Sequence, residues 1–155
     1  VLLYWLIVIP ALLLALASLL GERRRADYIL ARLDPRPAAA PPATVIVPVK
    51  GHDEGLAANL ASLAALDYPD FELIVTACAE EDVPPGVVPS NARLVFAGPP
   101  PSGTAEKIHN LLAAIRAARP SSAVFALADS DGQVRPDWLR ALVAALEEPG
   151  AGAAT

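Results

Sequence analysis

Residues 1–20 (VLLYWLIVIPALLLALASLL) carry no charged side chain. An apolar run of about twenty residues is the length at which a helix crosses roughly 30 Å of hydrocarbon. Pro10 would kink such a helix without excluding it. The polar-apolar mixture at 26–33 predicts a short juxtamembrane helix, and the prolines of 34–42 (DPRPAAAPP) forbid continuous helix there. Three regions are expected: a transmembrane helix over 1–20, a juxtamembrane segment and Pro/Ala linker over 21–43, and a globular domain over 44–155.

Within the domain the hydrophobic period switches back and forth. Residues 44–49 (TVIVPV) form a short β-branched run that predicts a buried strand. Leu56, Leu60 and Leu63 then recur at helical spacing, predicting an amphipathic helix over 54–66. The turn Asp67-Tyr68-Pro69-Asp70 precedes a second strand at 71–77 (FELIVTA). A Pro-rich loop leads to a third strand near 93–97. Ile108, Leu111, Leu112 and Ile115 mark a helix over 104–118, and 123–128 (AVFALA) reads as a fourth strand. Pro136 suits a first helical position, with Leu139, Leu142, Val143 and Leu146 on one face. This alternation predicts an α/β fold with a mostly parallel sheet sandwiched by helices, and ligands at the carboxyl ends of the strands.

Composition sharpens the picture. Hydrophobic residues make up 54% of the 155 residues, and mean hydropathy is +0.43, too apolar for a soluble domain unless part sits in lipid. A net charge of −5 leaves no electrostatic footprint for nucleic acid. The lone Cys78, in LIVTACA, excludes an internal disulfide and reads as an inert strand residue. Glu22 and the arginines 23–25 follow the apolar run, which favours a cytoplasmic domain anchored in the cell membrane. A cleaved signal peptide is the alternative, with Ala15-Leu16-Ala17 resembling a cleavage site, although its charge would precede the apolar run. The chain opens without methionine and ends just past Pro149-Gly150, so both ends are expected to be fragment edges.

The sharpest chemical signal is Asp129-Ser130-Asp131, directly after the fourth apolar run. Two carboxylates one residue apart at a strand end can turn toward one hard cation, Mg2+ or Mn2+, which shares its oxygen ligands with phosphate. The same residues also make good turn chemistry. Lys107 and Asn110 lie one turn apart in EKIHNL, where the lysine could neutralise a phosphate or the pair could line a solvated helix face. His109 between them reads as a surface residue. Glu80, Glu81 and Asp82 follow the second strand and suit a ribose or base, or are plain loop charges. Lys50, His52, Asp53 and Glu54 stand at the exit of the first strand, where Asp53 or Glu54 could instead favour a helix amino end. GPPPSGT at 98–104 has the glycine spacing of a phosphate loop, but it lacks the lysine and three prolines remove the needed N–H groups.

Together VIVPVKG, LDYPDFELIV, EKIHNLLAA and ADSDGQVRPDWL resemble the family 2-like glycosyltransferases of GT-A fold, in the branch of ceramide glucosyltransferase and hopanoid-associated transferases. The resemblance runs over about 45–146. It implies that Asp129 and Asp131 hold a divalent metal on the donor diphosphate. Glu81 or Asp82 would correspond to a uridine-side aspartate, Lys107 and Asn110 to a Lys-x-x-Asn near the donor, and Pro48 to the strand end flanking the nucleotide. Lys50 and Glu54, at the same sheet edge, complete the expected donor-binding set. A departure is Ala79-Glu80-Glu81-Asp82 in place of a more Asp-rich segment. The family's catalytic aspartate and Gln/Arg-x-x-Arg-Trp segment are absent before Thr155, so the general base is expected downstream and the chain alone should not turn over. The implied activity is metal-assisted inverting transfer from a nucleotide sugar, expected to be UDP-linked, to an acceptor such as a lipid. Two rivals stand: a nucleotidyltransferase, which should show a Gly-rich basic loop after the first strand, and an inactive membrane-tethered module that binds nucleotide sugar.

Overall fold

The computed structural model describes residues 2–30, 39–51 and 53–155. The chain forms two compact units, Val1–Pro35 and Arg36–Thr155. The expected linker positions 34–38, residues 31–33 before them, and His52 lie outside the described residues.

The first unit is one helix, α1 (Leu2–Leu30), with Pro10 inside it. Its most apolar 18-residue stretch has a mean hydropathy of 2.2, long and apolar enough to cross a membrane. Large side chains stand exposed along its length, from Tyr4 through Leu14 to Leu20, so the helix has no single buried stripe and suits a lipid surroundings by composition. The expected break after residue 20 is absent. Glu22, Arg23, Arg24, Arg25 and Ala26 are strong helix formers and Gly21 alone costs only about 1 kcal/mol, so the helix continues through the arginines to Leu30. Arg25 Nη1 lies 3.8 Å from Glu22 Oε1, one turn back.

The second unit carries β1 (Ala43–Pro48), α2 (Leu56–Ala64), β2 (Phe71–Ala77), a 3-10 turn (Glu80–Asp82), β3 (Ala92–Phe96), α3 (Glu106–Ala117), β4 (Val124–Leu127) and α4 (Trp138–Leu146). The strands pair in parallel in the order β3-β2-β1-β4. β1 and β2 are central and almost wholly buried, which is why they read as continuous β-branched runs rather than alternating ones. Successive side chains point to opposite faces. Val45, Val47, Leu73 and Val75 pack with Leu56, Leu60 and Leu63 of α2 and Leu139 and Val143 of α4. Ile46 and Ile74 pack on the other face with Leu111 and Ala114 of α3. The result is a three-layer α/β/α sandwich.

Chain order steps from β1 outward to β2 and β3, then returns through α3 to β4 on the opposite side of β1. The strand order therefore reverses between β1 and β4, and the diverging loops leave a crevice at their carboxyl ends. Far from that crevice, polar contacts fix the carboxyl end of α3. Glu72 Oε1 accepts from the Arg119 N–H at 2.7 Å and from Thr44 Oγ1 at 2.8 Å, while Arg119 Nη1 reaches Asp70 Oδ1 at 2.6 Å. With its far end tied down, α3 presents a fixed first turn to the crevice.

At the last helix the structure differs from expectation. α4 starts at Trp138 with Asp137 as its N-cap, so Pro136 lies before the helix rather than in its first turn. Asp137 makes no side-chain cap; its carboxylate takes two bonds from Arg135, at 2.8 and 3.1 Å. Pro136 instead uses its carbonyl, which accepts from the Asp67 N–H at 2.8 Å.

Candidate functional site

A cavity of about 540 Å³ opens at the reversal point, lined by Pro48, Val49 and Lys50 after β1, Glu106, Lys107 and Asn110 of α3, Asp129 to Asp131 after β4, and Asp53. Six of the expected residues therefore converge: Pro48, Lys50, Lys107, Asn110, Asp129 and Asp131. Glu54, Glu81 and Asp82 do not line this cavity. Glu54 is exposed just before α2, and Glu81 lines a second hollow with Val83, Leu94 and Phe96. Asp82 Oδ2 accepts from its own turn's Ala79 N–H at 3.1 Å. Its carbonyl accepts from Gly51 N–H at 2.8 Å, which ties the acidic turn to the exit of β1. Gly51 has φ +73, a left-handed conformation that glycine adopts without strain.

The loop bearing the two aspartates is held from α2. Asn59, buried, donates from Nδ2 to the Ser130 carbonyl at 2.8 Å. Ser62 Oγ accepts from Val134 N–H at 3.1 Å while donating to the Asn59 carbonyl at 2.7 Å. Ser130 Oγ donates to Asp53 Oδ2 at 2.8 Å. Asp53 thus faces the Asp-Ser-Asp segment rather than capping α2 with its side chain; Gly55 is the N-cap. Sequence reasoning passed over Asn59, yet a signal was present: it sits three residues after Leu56 and four before Leu63, a polar residue on the apolar stripe.

Both lysines of the lining are paired with carboxylates of the lining. Lys50 Nζ lies 2.8 Å from Glu106 Oε2, and Lys107 Nζ lies 2.5 Å from Asp129 Oδ1. The hydrogen bond that Lys50 donates to Glu106, reinforced by the carboxylate's charge, raises the Lys50 ammonium above its ordinary value. Glu106 is another residue the sequence reading did not single out. Four carboxylates (Asp53, Glu106, Asp129, Asp131) against two ammonium groups (Lys50, Lys107) give the lining a formal charge of −2.

The donor set fits a hard cation in one specific way. Among the described residues no group of three or more His, Cys, Asp or Glu side chains stands ready to hold a metal. Mg2+ and Mn2+ at phosphate sites commonly use one or two carboxylates and complete their shell with phosphate and water. Asp129 and Asp131, both exposed into the cavity, match that arrangement.

Asn110 is not on a solvated face. It is 2% exposed, its backbone carbonyl accepts from Thr76 Oγ1 at 3.2 Å, and its side-chain Oδ1 has no partner among the described residues. A buried orphan acceptor costs about 1–3 kcal/mol, and native structures keep few of them. His109 is half-buried rather than a surface residue, with Nε2 3.1 Å from the Ala97 carbonyl. Cys78 lies one residue past β2, its thiol donating to the Gly98 carbonyl at 3.2 Å. Partial burial and the nearby carboxylates of Glu106 and Asp82 push the thiol up, as suits an unreactive cysteine.

The sequence matches glycosyl transferase family 21 over residues 3–155. The chain belongs to that family. Ceramide glucosyltransferase 1 of Caenorhabditis elegans is 34% identical over 116 residues, which cover 70% of this chain and 24% of that protein. A mannosyltransferase from Pyrobaculum calidifontis, PcManGT, solved in complex with GDP-Man and Mn2+, is similar at a TM-score of 0.60 and 26% identity. That similarity covers 77% of the family 21 chain and 36% of the mannosyltransferase, so the chain spans a minor part of each relative. The fold is GT-A-like, and of the expected resemblance the relationship to ceramide glucosyltransferases is carried by the similarity to the Caenorhabditis elegans protein.

Proposed function

We propose that this family 21 chain is the membrane-anchored donor-binding part of a glycosyltransferase. The enzyme moves a sugar from a nucleotide sugar, UDP-linked, to an acceptor hydroxyl on a lipid, with inversion at the anomeric carbon. The observation that carries this reading is the convergence of Asp129, Asp131, Lys50, Lys107 and Asn110 in one cavity at the sheet's reversal point. By the family 2-like resemblance Asp129, Asp131, Lys107 and Asn110 would be the donor-side set and Pro48 the wall beside the nucleotide; Lys50 joins them by its place at the sheet edge.

Lys107 and Lys50 would exchange their carboxylate partners for diphosphate oxygens, and Asp129 and Asp131 would hold Mg2+ or Mn2+. A bound divalent cation supplies charge stabilisation for the departing diphosphate. Asn110 would bond a hydroxyl or amine of the donor. The second hollow, with Glu81 on its rim and Asp82 in the turn behind it, would take the nucleoside. Glu54 remains a rim carboxylate before α2. No residue of this chain is assigned as the acceptor's base: Asp137 is bound by Arg135 and does not line the cavity.

Irradiation of the chain with an azidouridine nucleotide sugar tests the placement. Label is expected on peptides carrying residues 80–82, 106–110 or 129–131, and to be competed by UDP. Label confined to other peptides contradicts the reading. The arginines after the apolar segment support a cytoplasmic domain. A fusion reporter at the carboxyl end should be active in the cytoplasm, and activity only on the far side of the membrane would reverse this topology.

A further inference from the structure

Among the described residues lining the cavity, both ammonium groups are paired with carboxylates. Lys107 is held by Asp129, which in the donor-site reading also serves the cation, so cation binding itself competes Lys107 away. Lys50 is different. Its partner Glu106 lies in the first turn of α3, beside Lys107, and lines the same cavity as the Asp-Ser-Asp loop. Resting on the donor-site reading, we propose that Glu106 is a specificity-determining residue: by holding Lys50 and adding a negative charge to the lining, it makes nucleoside-diphosphate binding depend on a divalent cation.

The two partners differ in freedom. The Glu106 side chain is 26% exposed and that of Lys50 70% exposed, so the lysine has the more open surroundings in which to change rotamer. The backbone on either side of Lys50 is pinned, with Val49 N–H on the Thr76 carbonyl and Gly51 N–H on the Asp82 carbonyl, both at 2.8 Å. Lys50 therefore changes partner by side-chain rotation alone. An ion pair this exposed is weak, and a metal-bound diphosphate can displace it. A diphosphate without the cation meets a lining of formal charge −2 and must displace the same pair with no offsetting charge. Helix-end stabilisation by an acidic first-turn residue explains a carboxylate at position 106 but not its bond to a cavity lysine.

The test is UDP affinity of the chain in detergent, with Mn2+ and with EDTA, for wild type, Glu106→Gln, Lys50→Met and the double variant. Glu106→Gln is expected to tighten binding in EDTA on the order of five-fold, with a smaller change in Mn2+, so the ratio between the two conditions falls. The gain should vanish in the Lys50→Met background, because it passes through Lys50. A merely structural role for Glu106 would weaken binding under both conditions. Glu106→Asp, which keeps the charge on a shorter stem, should lie between wild type and Glu106→Gln and serves if the glutamine variant folds poorly. Cation-dependent binding by wild type, with no gain in EDTA for either Glu106 variant, overturns the proposal while leaving the donor site intact. Absence of UDP binding by wild type in Mn2+ overturns the donor-site reading and this inference with it.

Discussion

Asp131→Ala is expected to weaken UDP binding about ten- to a hundred-fold when Mn2+ is present and to leave binding in EDTA unchanged or slightly tighter. Asp131 is the cleaner of the two aspartates for this purpose. It is exposed in the cavity, and among the described residues nothing bonds to its carboxylate, so its removal breaks no hydrogen bond or ion pair with them. Asp129 is shared with Lys107, and its substitution would also set that lysine free. Asp129→Ala should therefore show a mixed result, losing cation dependence while gaining an unpaired ammonium for phosphate. The two variants separate cation binding from simple charge removal. If Asp131→Ala lowers affinity equally in EDTA and in Mn2+, the carboxylate serves the ligand directly and not through a cation.

Asn110→Leu is expected to move stability and binding in opposite directions. The Oδ1 of Asn110 is buried without a partner among the described residues, and replacing an unsatisfied amide by an apolar side chain of similar shape removes a desolvation cost. Unfolding free energy should stay level or rise by about 1 kcal/mol. The ligand, by contrast, loses a buried hydrogen bond in a site built to make it, and UDP-sugar affinity should fall about ten-fold. Thermal unfolding and ligand titration on the same preparation read both signs. A destabilised variant with unchanged affinity would make Asn110 a structural residue of the α3–β2 contact.

Much of the fold was legible because its strands are short and sharply bounded. β2 falls at the expected 71–77 since a turn precedes it and an acidic turn follows. β1 and β3 each start one residue before expectation, and the helices α2 and α3 are shorter at both ends. Periodicity marks the buried face of a helix but not the residue where capping takes over, as Gly55 does for α2. The continuity of α1 was missed because a change from apolar to charged composition was taken as a change of element. Helix propensity does not follow that boundary, and Arg23 to Arg25 extend the helix freely.

The site was legible wherever strand ends placed it. Lys50, Asp129 and Asp131 follow apolar strands, and a parallel sheet gathers those positions at one edge. Asn110 was found by motif, yet its burial was hidden because one side of a helix cannot be assigned to a crevice before the sheet order is known. Glu106 and Asn59 bond partners 56 and 71 residues away; the apolar stripe of α2 marks Asn59 as out of place, but no local pattern names either partner.

Calorimetric titration of UDP into the chain, with Mn2+ and again with EDTA, tests the central claim most directly. Saturable one-to-one binding in Mn2+ that weakens at least ten-fold in EDTA is the expected result. Equal affinity in both conditions, or no binding in Mn2+, would contradict the assignment of this cavity as a cation-dependent nucleotide-sugar site.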